Sequence, residues 1–371
     1  MRVFVAGDFC PRYRIENMLS MKDYSFFDSV RNILSQSDYS IVNLECPIVE
    51  HYIKPITKCG PALFTSLNVV NALKYAGFDC VTLANNHFRD FGDEGCMTTI
   101  NELKKHNIDF VGGGRNLEDA QKILYKSING KTLAIVNFCE NEFSIATDKQ
   151  AGAAPLDAVD NYNQITEARR NADYVLVIVH GGHEHYQLPS LRMKNLYRHF
   201  VTIGADAVVN HHQHCYSGYE YFKGKPIIYG LGNFCFDNNK RNISIWNEGY
   251  VIALSFTNEV NIELYPYIQC AQNSVVEFMD NASKDIFYNN IEKLNSIIID
   301  NQKLQEKFNE FCSGHSNTIK RILAPHCNKF LNAAASRGWI PTRYIKFSDW
   351  LLIYDYIKCE SLRDIILQTL K

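Results

Sequence analysis

The chain has 371 residues, 46% hydrophobic and 21% charged, a globular balance that allows one large α/β domain or one domain with an appendage. A formal charge of −2 gives no electrostatic case for nucleic acid or an anionic membrane, so neither is expected as a partner. No window reaches the roughly eighteen apolar residues of a membrane span, and the opening Met1-Arg-Val-Phe-Val-Ala-Gly-Asp8 reads as a short strand and polar turn, not a signal peptide.

Taken in chain order, short apolar runs predict strands at Val3–Ala6, Tyr39–Leu44, Cys80–Leu83, Phe110–Val111, Thr132–Asn137, Tyr174–Val179, Ala205–Asn210, Pro226–Tyr229, Tyr250–Phe256 and Ile262–Tyr267. Between them, helical spacing of apolar residues marks Phe26–Ser35, Ser66–Tyr75, Glu94–His106, Asp157–Ala172 and Leu191–Ile203. Strand–helix alternation implies right-handed crossovers and a largely parallel sheet. The last few strands have no helices between them and read as antiparallel additions or a second sheet. After about Asn281 the pattern turns helical, with Ile286–Phe311, Ile319–Ala335, Ser348–Lys358 and Ser361–Leu370 as candidates. The expected division is therefore a domain over 1–280 and a helical C-terminal appendage over 281–371, which could cap a site or join subunits into a homo-oligomer. Twelve cysteines are scattered without a CxxC, several of them (Cys80, Cys139, Cys235) in apolar runs. Reduced thiols and a cytoplasmic location are the expectation.

Polar residues follow the strands in a consistent register. The first ends Gly7-Asp8, the second Asn43-Leu-Glu45, and the third Ala84-Asn85-Asn86-His87 with Asp90 and Gly92 beyond. Seven of the twelve histidines lie between His180 and His214, six of them in the clusters His180-Gly-Gly-His-Glu-His185 and His211-His-Gln-His214, each after an apolar run. In an open α/β sheet ligands bind at the carboxyl ends of strands. Carboxylate, amide and imidazole donors suit Mn, Fe, Zn or Mg, whereas a structural thiolate zinc site needs clustered cysteines. The set could hold one or two ions, with a carboxylate placed to bridge. Each piece alone has a plainer reading: a turn for Gly7-Asp8, a solvated strand edge for Glu45, a structural histidine for His87.

This order resembles the calcineurin-like metallophosphoesterase superfamily, whose motifs run D-x-H, G-D-x-x-D, G-N-H-[ED], H and G-H-x-H. It looks still more like the CapA (capsule or poly-γ-glutamate synthesis, PGA-cap) family. That likeness rests on the stretches above, on His212-Gln-His214 leading into Gly218-Tyr-Glu-Tyr221, and on Gly224-Lys-Pro-Ile-Ile-Tyr-Gly-Leu-Gly-Asn-Phe234. It extends over roughly Met1 to Tyr267. The resemblance implies a layered α/β/β/α sandwich. It also implies Asp8, Glu45, Asn86, His180 and His212 as metal ligands, and His214 as a ligand or substrate contact. His87 would be the acid that protonates the leaving group, oriented by Asp90. Glu184 and Asn233 would touch substrate or support the ligands, and Lys58 would contact an anion. Two departures stand out: Cys10 replaces the histidine of the first motif, and Gly181 replaces the family's usual Trp, which would widen the pocket. Glu45 would bridge only by analogy, which favours one ion over two.

The activity so implied is a metal-dependent hydrolase, phosphoester-cleaving, with Mn, Fe or Zn as cofactor. Its substrate would be a phosphorylated or polyanionic capsule precursor or related small molecule or oligomer. The alternatives are amide hydrolysis, or a non-catalytic accessory role in capsule or poly-γ-glutamate synthesis.

Overall fold

The structure, a computed structural model, describes residues 1–241, 243–323, 325–326, 328–341, 346–358, 362 and 365–366. Two sheets dominate it. The first runs β16 (Val276–Phe278), β15 (Val260–Gln269), β14 (Glu248–Phe256), β1 (Arg2–Cys10), β2 (Tyr39–Leu44), β3 (Cys80–Thr82), β4 (Asp109–Val111), with β13 (Asn233–Phe236) also paired to β1. The second runs β11 (Tyr219–Phe222), β12 (Lys225–Ile228), β10 (Ala207–His211), β9 (Tyr174–His180), β7 (Lys131–Cys139), β6 (Leu124–Ile128); a two-residue pair joins β5 (Gly113–Gly114) to β8 (Gly152–Ala153).

The period-2 alternation of each strand sorts its side chains into layers. Val3, Val5 and Ile41 of the first sheet meet Ile135, Leu176, Ile178 and Val209 of the second in one core between the sheets. Their neighbours Phe4, Ala6, Val42 and Leu44 point the other way, onto α1 (Arg14–Ser20), α2 (Asp28–Leu34), α3 (Asn68–Ala76) and α4 (Gly92–Lys105). On the far side, Val175, Val177 and Val179 face α6 (Ala158–Asn171) and α7 (Leu191–Ile203); the short α5 (Leu117–Ala120) precedes β6. The result is the layered α/β/β/α sandwich expected. What sequence left open, the placement of the late strands, resolves in favour of antiparallel additions, since β14 and β15 extend the first sheet beside β1.

The helical region begins inside this body. α8 (Asn281–Ile299) carries Phe287 and Ile291 into the core between the sheets, with the Phe287 ring 4.9 Å from that of Tyr216. The first compact unit accordingly runs Met1–Gln305, and the second, Glu306–Lys371, holds most of α9 (Asn301–Leu323), then α10 (Lys329–Ser336) and α11 (Phe347–Lys358). One long helix was expected over Ile286–Phe311. Asp300 divides it: it adopts an extended conformation and its carboxylate accepts from the amides of Gln302 and Lys303, starting α9. The expected Ile319–Ala335 helix is likewise split around Pro325, which cannot continue α9. Most of the Ser361–Leu370 helix falls outside the described residues. Among the described residues no helix is long and apolar enough to cross a membrane.

The first sheet changes partner at Gly7. Over Arg2–Val5, β1 pairs antiparallel with β14; from Asp8 it pairs parallel with β13, and the β1–β2 register also slips between Ala6 and Asp8. A Cβ at Gly7 would lie 1.9 Å from the Gly232 carbonyl oxygen, so the crossing admits only glycine. Gly7→Ala is expected to cost about 1–3 kcal/mol, the range for overpacking a tight site. An unchanged urea midpoint would refute the close approach.

Candidate metal centre

The carboxyl ends of parallel strands from both sheets meet at one rim. Asp8 lies near the carboxyl end of β1, Glu45 follows β2, Asn86 and His87 follow β3, His180 ends β9, and His212 and His214 follow β10. Half of the expected ligands thus come from each sheet. All six are buried. Glu45, His180 and His212 form one group whose donor atoms lie within 4.8 Å of one another, and Asp8, Glu45 and His214 form a second, so Glu45 belongs to both.

Two polar ties lock the sheets together at this rim. His212 donates its backbone N–H to Asp8 Oδ2 (3.0 Å), and the ring of His211 reaches the Ala6 carbonyl through Nε2 (3.1 Å). His212 (φ 91°) and His214 (φ 54°) are both left-handed, a conformation disfavoured for residues with a Cβ and common at functional sites. The turn after β10 therefore holds its imidazoles by force of the surrounding structure.

Glu45 is fully buried, and neither carboxylate oxygen has a hydrogen-bond partner among the described residues. The Nε2 atoms of His180 and His214 each lie 3.7 Å from its Oε1. Burial, and then the charge of Asp8, push the Glu45 carboxyl well above the usual range. Asp8 is pushed up to about 7 by burial, against the opposing pull of hydrogen bonds from the Asn43 side chain and the His212 amide. Burial also lowers the imidazoles, His180 far down and His214 to about 3, so they are neutral. Neutral imidazoles beside two carboxylates that resist ionisation form a donor set lacking a positive charge. Asn86 Oδ1 and His212 Nδ1 each lie 3.1 Å from His180 Nε2 and add further lone pairs. The residues present fit a divalent cation.

Several side chains support this set. Asn43 Nδ2 donates to Asp8 Oδ1 (2.7 Å) and lies 3.3 Å from His180 Nδ1, while Asn43 Oδ1 accepts from Thr82 and Asn85. Asn233, expected as a substrate or supporting residue, is fully buried; its Oδ1 lies 2.9 Å from His214 Nδ1 and its amide donates to the carbonyls of His214 and Trp246. The Trp246 ring lies 4.8 Å from that of His214. Sequence reading placed Asn43 and Asn85 in the strand-end motifs without giving them a role, and it missed Trp246. Asn43 had a signal, being two residues before Glu45 on a strand and so on the same face. Trp246 had none.

His87 stands beside this group. Its Nδ1 is 2.6 Å from Asp90 Oδ2, which also accepts from the Leu63 amide. An ionised carboxylate only accepts, so Nδ1 carries a proton and Nε2 is the nitrogen left for substrate. Lys58, expected as an anion contact, has a buried side chain bonded to the other Asp90 oxygen, with its Nζ 3.2 Å from His87 Nδ1. Glu184 is exposed on the loop after β9, and its charge acts on Glu45 and His212. Cys10, at the position of the missing motif histidine, packs in the core under the helices and belongs to neither donor group. His183 and His185 share the loop after β9, and His199 is exposed on α7.

These features define a two-sheet α/β/β/α protein with a buried, mixed carboxylate and imidazole centre at its strand ends. The chain belongs to the bacterial capsule synthesis protein PGA_cap family, whose model matches residues 2–238. It is 36% identical over 219 residues to the capsule biosynthesis protein CapA of Bacillus anthracis, a match spanning 57% of this chain and 53% of that protein. It is 35% identical over 240 residues to the PGA biosynthesis protein CapA of Bacillus subtilis, spanning 63% and 62%. The matches thus span half to three-fifths of these relatives' length. Among solved structures, a 5'-nucleotidase precursor from Thermus thermophilus aligns over 80% of this chain and 59% of its own, at 10% identity and a TM-score of 0.41. A likeness at that level says nothing about chemistry.

Two outcomes follow from this geometry. Asn43→Ala should weaken binding of Mn²⁺, measured by titration calorimetry, by on the order of 10–100-fold, the usual effect of losing a group that orients a ligand. With Asp8 titrating near 7, binding at pH 6 should release at least one proton per ion and fewer at pH 8, while the neutral imidazoles release none. Calorimetry in buffers of differing ionisation enthalpy reads this directly; proton release independent of pH would contradict it.

Proposed function

We propose that the protein is a metal-dependent hydrolase acting on phosphoesters. The observation that carries this reading is the pair of Glu45 oxygens, buried without a partner between two sets of neutral imidazoles. On this reading Asp8, Glu45, Asn86, His180, His212 and His214 hold one or two ions of Mn, Fe or Zn. A bound ion supplies Lewis acidity that polarises a phosphoryl oxygen and acidifies water.

The protein's own residues do the rest. Asp90 holds the His87 ring in one orientation through Nδ1–H, and the imidazolium form gives its Nε2 proton to the departing alkoxide, returning to the neutral Nδ1–H ring. Lys58 balances the charge of Asp90 in this buried spot. Asn43 and Asn233 keep Asp8 and His214 aimed at the centre. The likeness to calcineurin-like phosphoesterase motifs supports phosphoester chemistry, and the names of the relatives support a substrate among capsule or poly-γ-glutamate precursors. A soluble phosphorylated metabolite or short polyanion is the proposed substrate.

The relatives' names also support a second reading, an accessory protein in capsule or poly-γ-glutamate synthesis, either without turnover or hydrolysing amide bonds. The two separate cleanly. The metal-loaded protein should hydrolyse a generic aryl phosphate, and His87→Ala should lower kcat by about 10²–10⁴ with metal content unchanged. Glu45→Gln should lose the metal itself. Full metal loading with no turnover of any phosphoester would favour the accessory reading, and absence of stoichiometric metal after reconstitution would sink both metal-based accounts.

A further inference from the structure

The whole-chain charge of −2 conceals a segregation. Between Glu310 and Asp349 the sequence carries Lys320, Arg321, Lys329, Arg337, Arg343 and Lys346 and no Asp or Glu. This stretch lies in the second compact unit, Glu306–Lys371, where no described residue is buried. Large apolar side chains stand uncovered there. Phe330 and Trp339 are each 74% exposed, Leu352 58% and Leu351 52%. Basic groups stand beside the aromatic rings: Lys329 Nζ lies 5.3 Å from the Phe330 ring centre, and the Arg337 guanidinium 5.3 Å from that of Trp339.

We infer that this helical unit docks on an anionic lipid bilayer surface. Helices that bind in the interfacial plane combine exposed aromatic and aliphatic residues, which enter the acyl boundary, with Lys and Arg, which stay among anionic headgroups. Trp is favoured at that boundary. Other occupants explain less. A nucleic acid would use the basic residues but has no place for Leu351 and Leu352. A symmetric contact with a second copy would bring Lys329 and Arg337 of one chain onto a surface that carries the same two cations. The inference is independent of the metal centre, which lies wholly in the first unit.

The test uses the full chain and sedimentation with phosphatidylcholine vesicles, with and without phosphatidylglycerol. Binding should be at least about tenfold stronger with phosphatidylglycerol, weaken as salt rises, and shift tryptophan emission to the blue. The double charge reversal Lys329→Glu/Arg337→Glu should remove the preference for anionic vesicles, and Trp339→Ser should reduce both binding and the shift. Both reversed residues are exposed, so this variant keeps the inference testable even where Trp339→Ser disturbs the helices; circular dichroism checks the fold. Equal or absent binding to the two vesicle types would overturn the inference. So would vesicle binding untouched by the charge reversal, retention of a DNA oligonucleotide without vesicle binding, or self-association that the same variants abolish without vesicle binding.

Discussion

A carboxylate moved from water into a packed interior loses its hydration, and the loss is tolerable only where a proton, a donor or a cation replaces it. Glu45 has been given no donor, and Asp8 beside it makes ionisation harder still. The surrounding architecture serves to keep these two acids in place together. The change of partner at Gly7 turns Asp8 toward the second sheet, and the first residue past β2 carries Glu45 to the same level, its amide still bonded to the Phe9 carbonyl. Neither position would matter without the opposing sheet, whose strand-end histidines close the other half of the cluster.

Neighbouring histidines in this chain do different work, and burial with hydrogen-bond geometry decides which. His211 and His212 are adjacent in sequence. His211, at the end of β10, ties the sheets through the Ala6 carbonyl, while His212, held at positive φ, turns its ring to His180. His87 differs from both because Asp90, three residues on, fixes one ring nitrogen and leaves the other for proton transfer. A cluster of histidines is thus a pool from which the backbone selects by direction.

Charge is distributed with similar selectivity. The near-neutral total covers a first unit with Asp8 and Glu45 buried at a centre suited to a cation and a second unit whose stretch 311–348 carries Lys and Arg but no Asp or Glu. An electrostatic reading of the whole chain averages these away. The attraction of a surface depends on the local charge within about a Debye length, not on the sum over the molecule.

Much was legible from sequence because it depends on local pattern. The apolar runs located the main buried strands, the alternation implied flanking helices, and polar residues just past each run marked Asp8, Glu45, Asn86, His87, His180 and His212 as candidates for one site. Short or edge elements such as β6, β11 and β13 lacked such runs and went unseen, and Asp300 and Pro325 broke helices that periodicity had joined. Only the tertiary structure decided that the donors divide between two facing sheets, that Glu45 is shared by both donor groups, that Lys58 is tied to Asp90, and that Trp246 lies over His214. The physical reason is that strand and helix periodicity are properties of neighbouring residues. Desolvation and cross-sheet contact instead join residues far apart in the chain, and no local pattern records them.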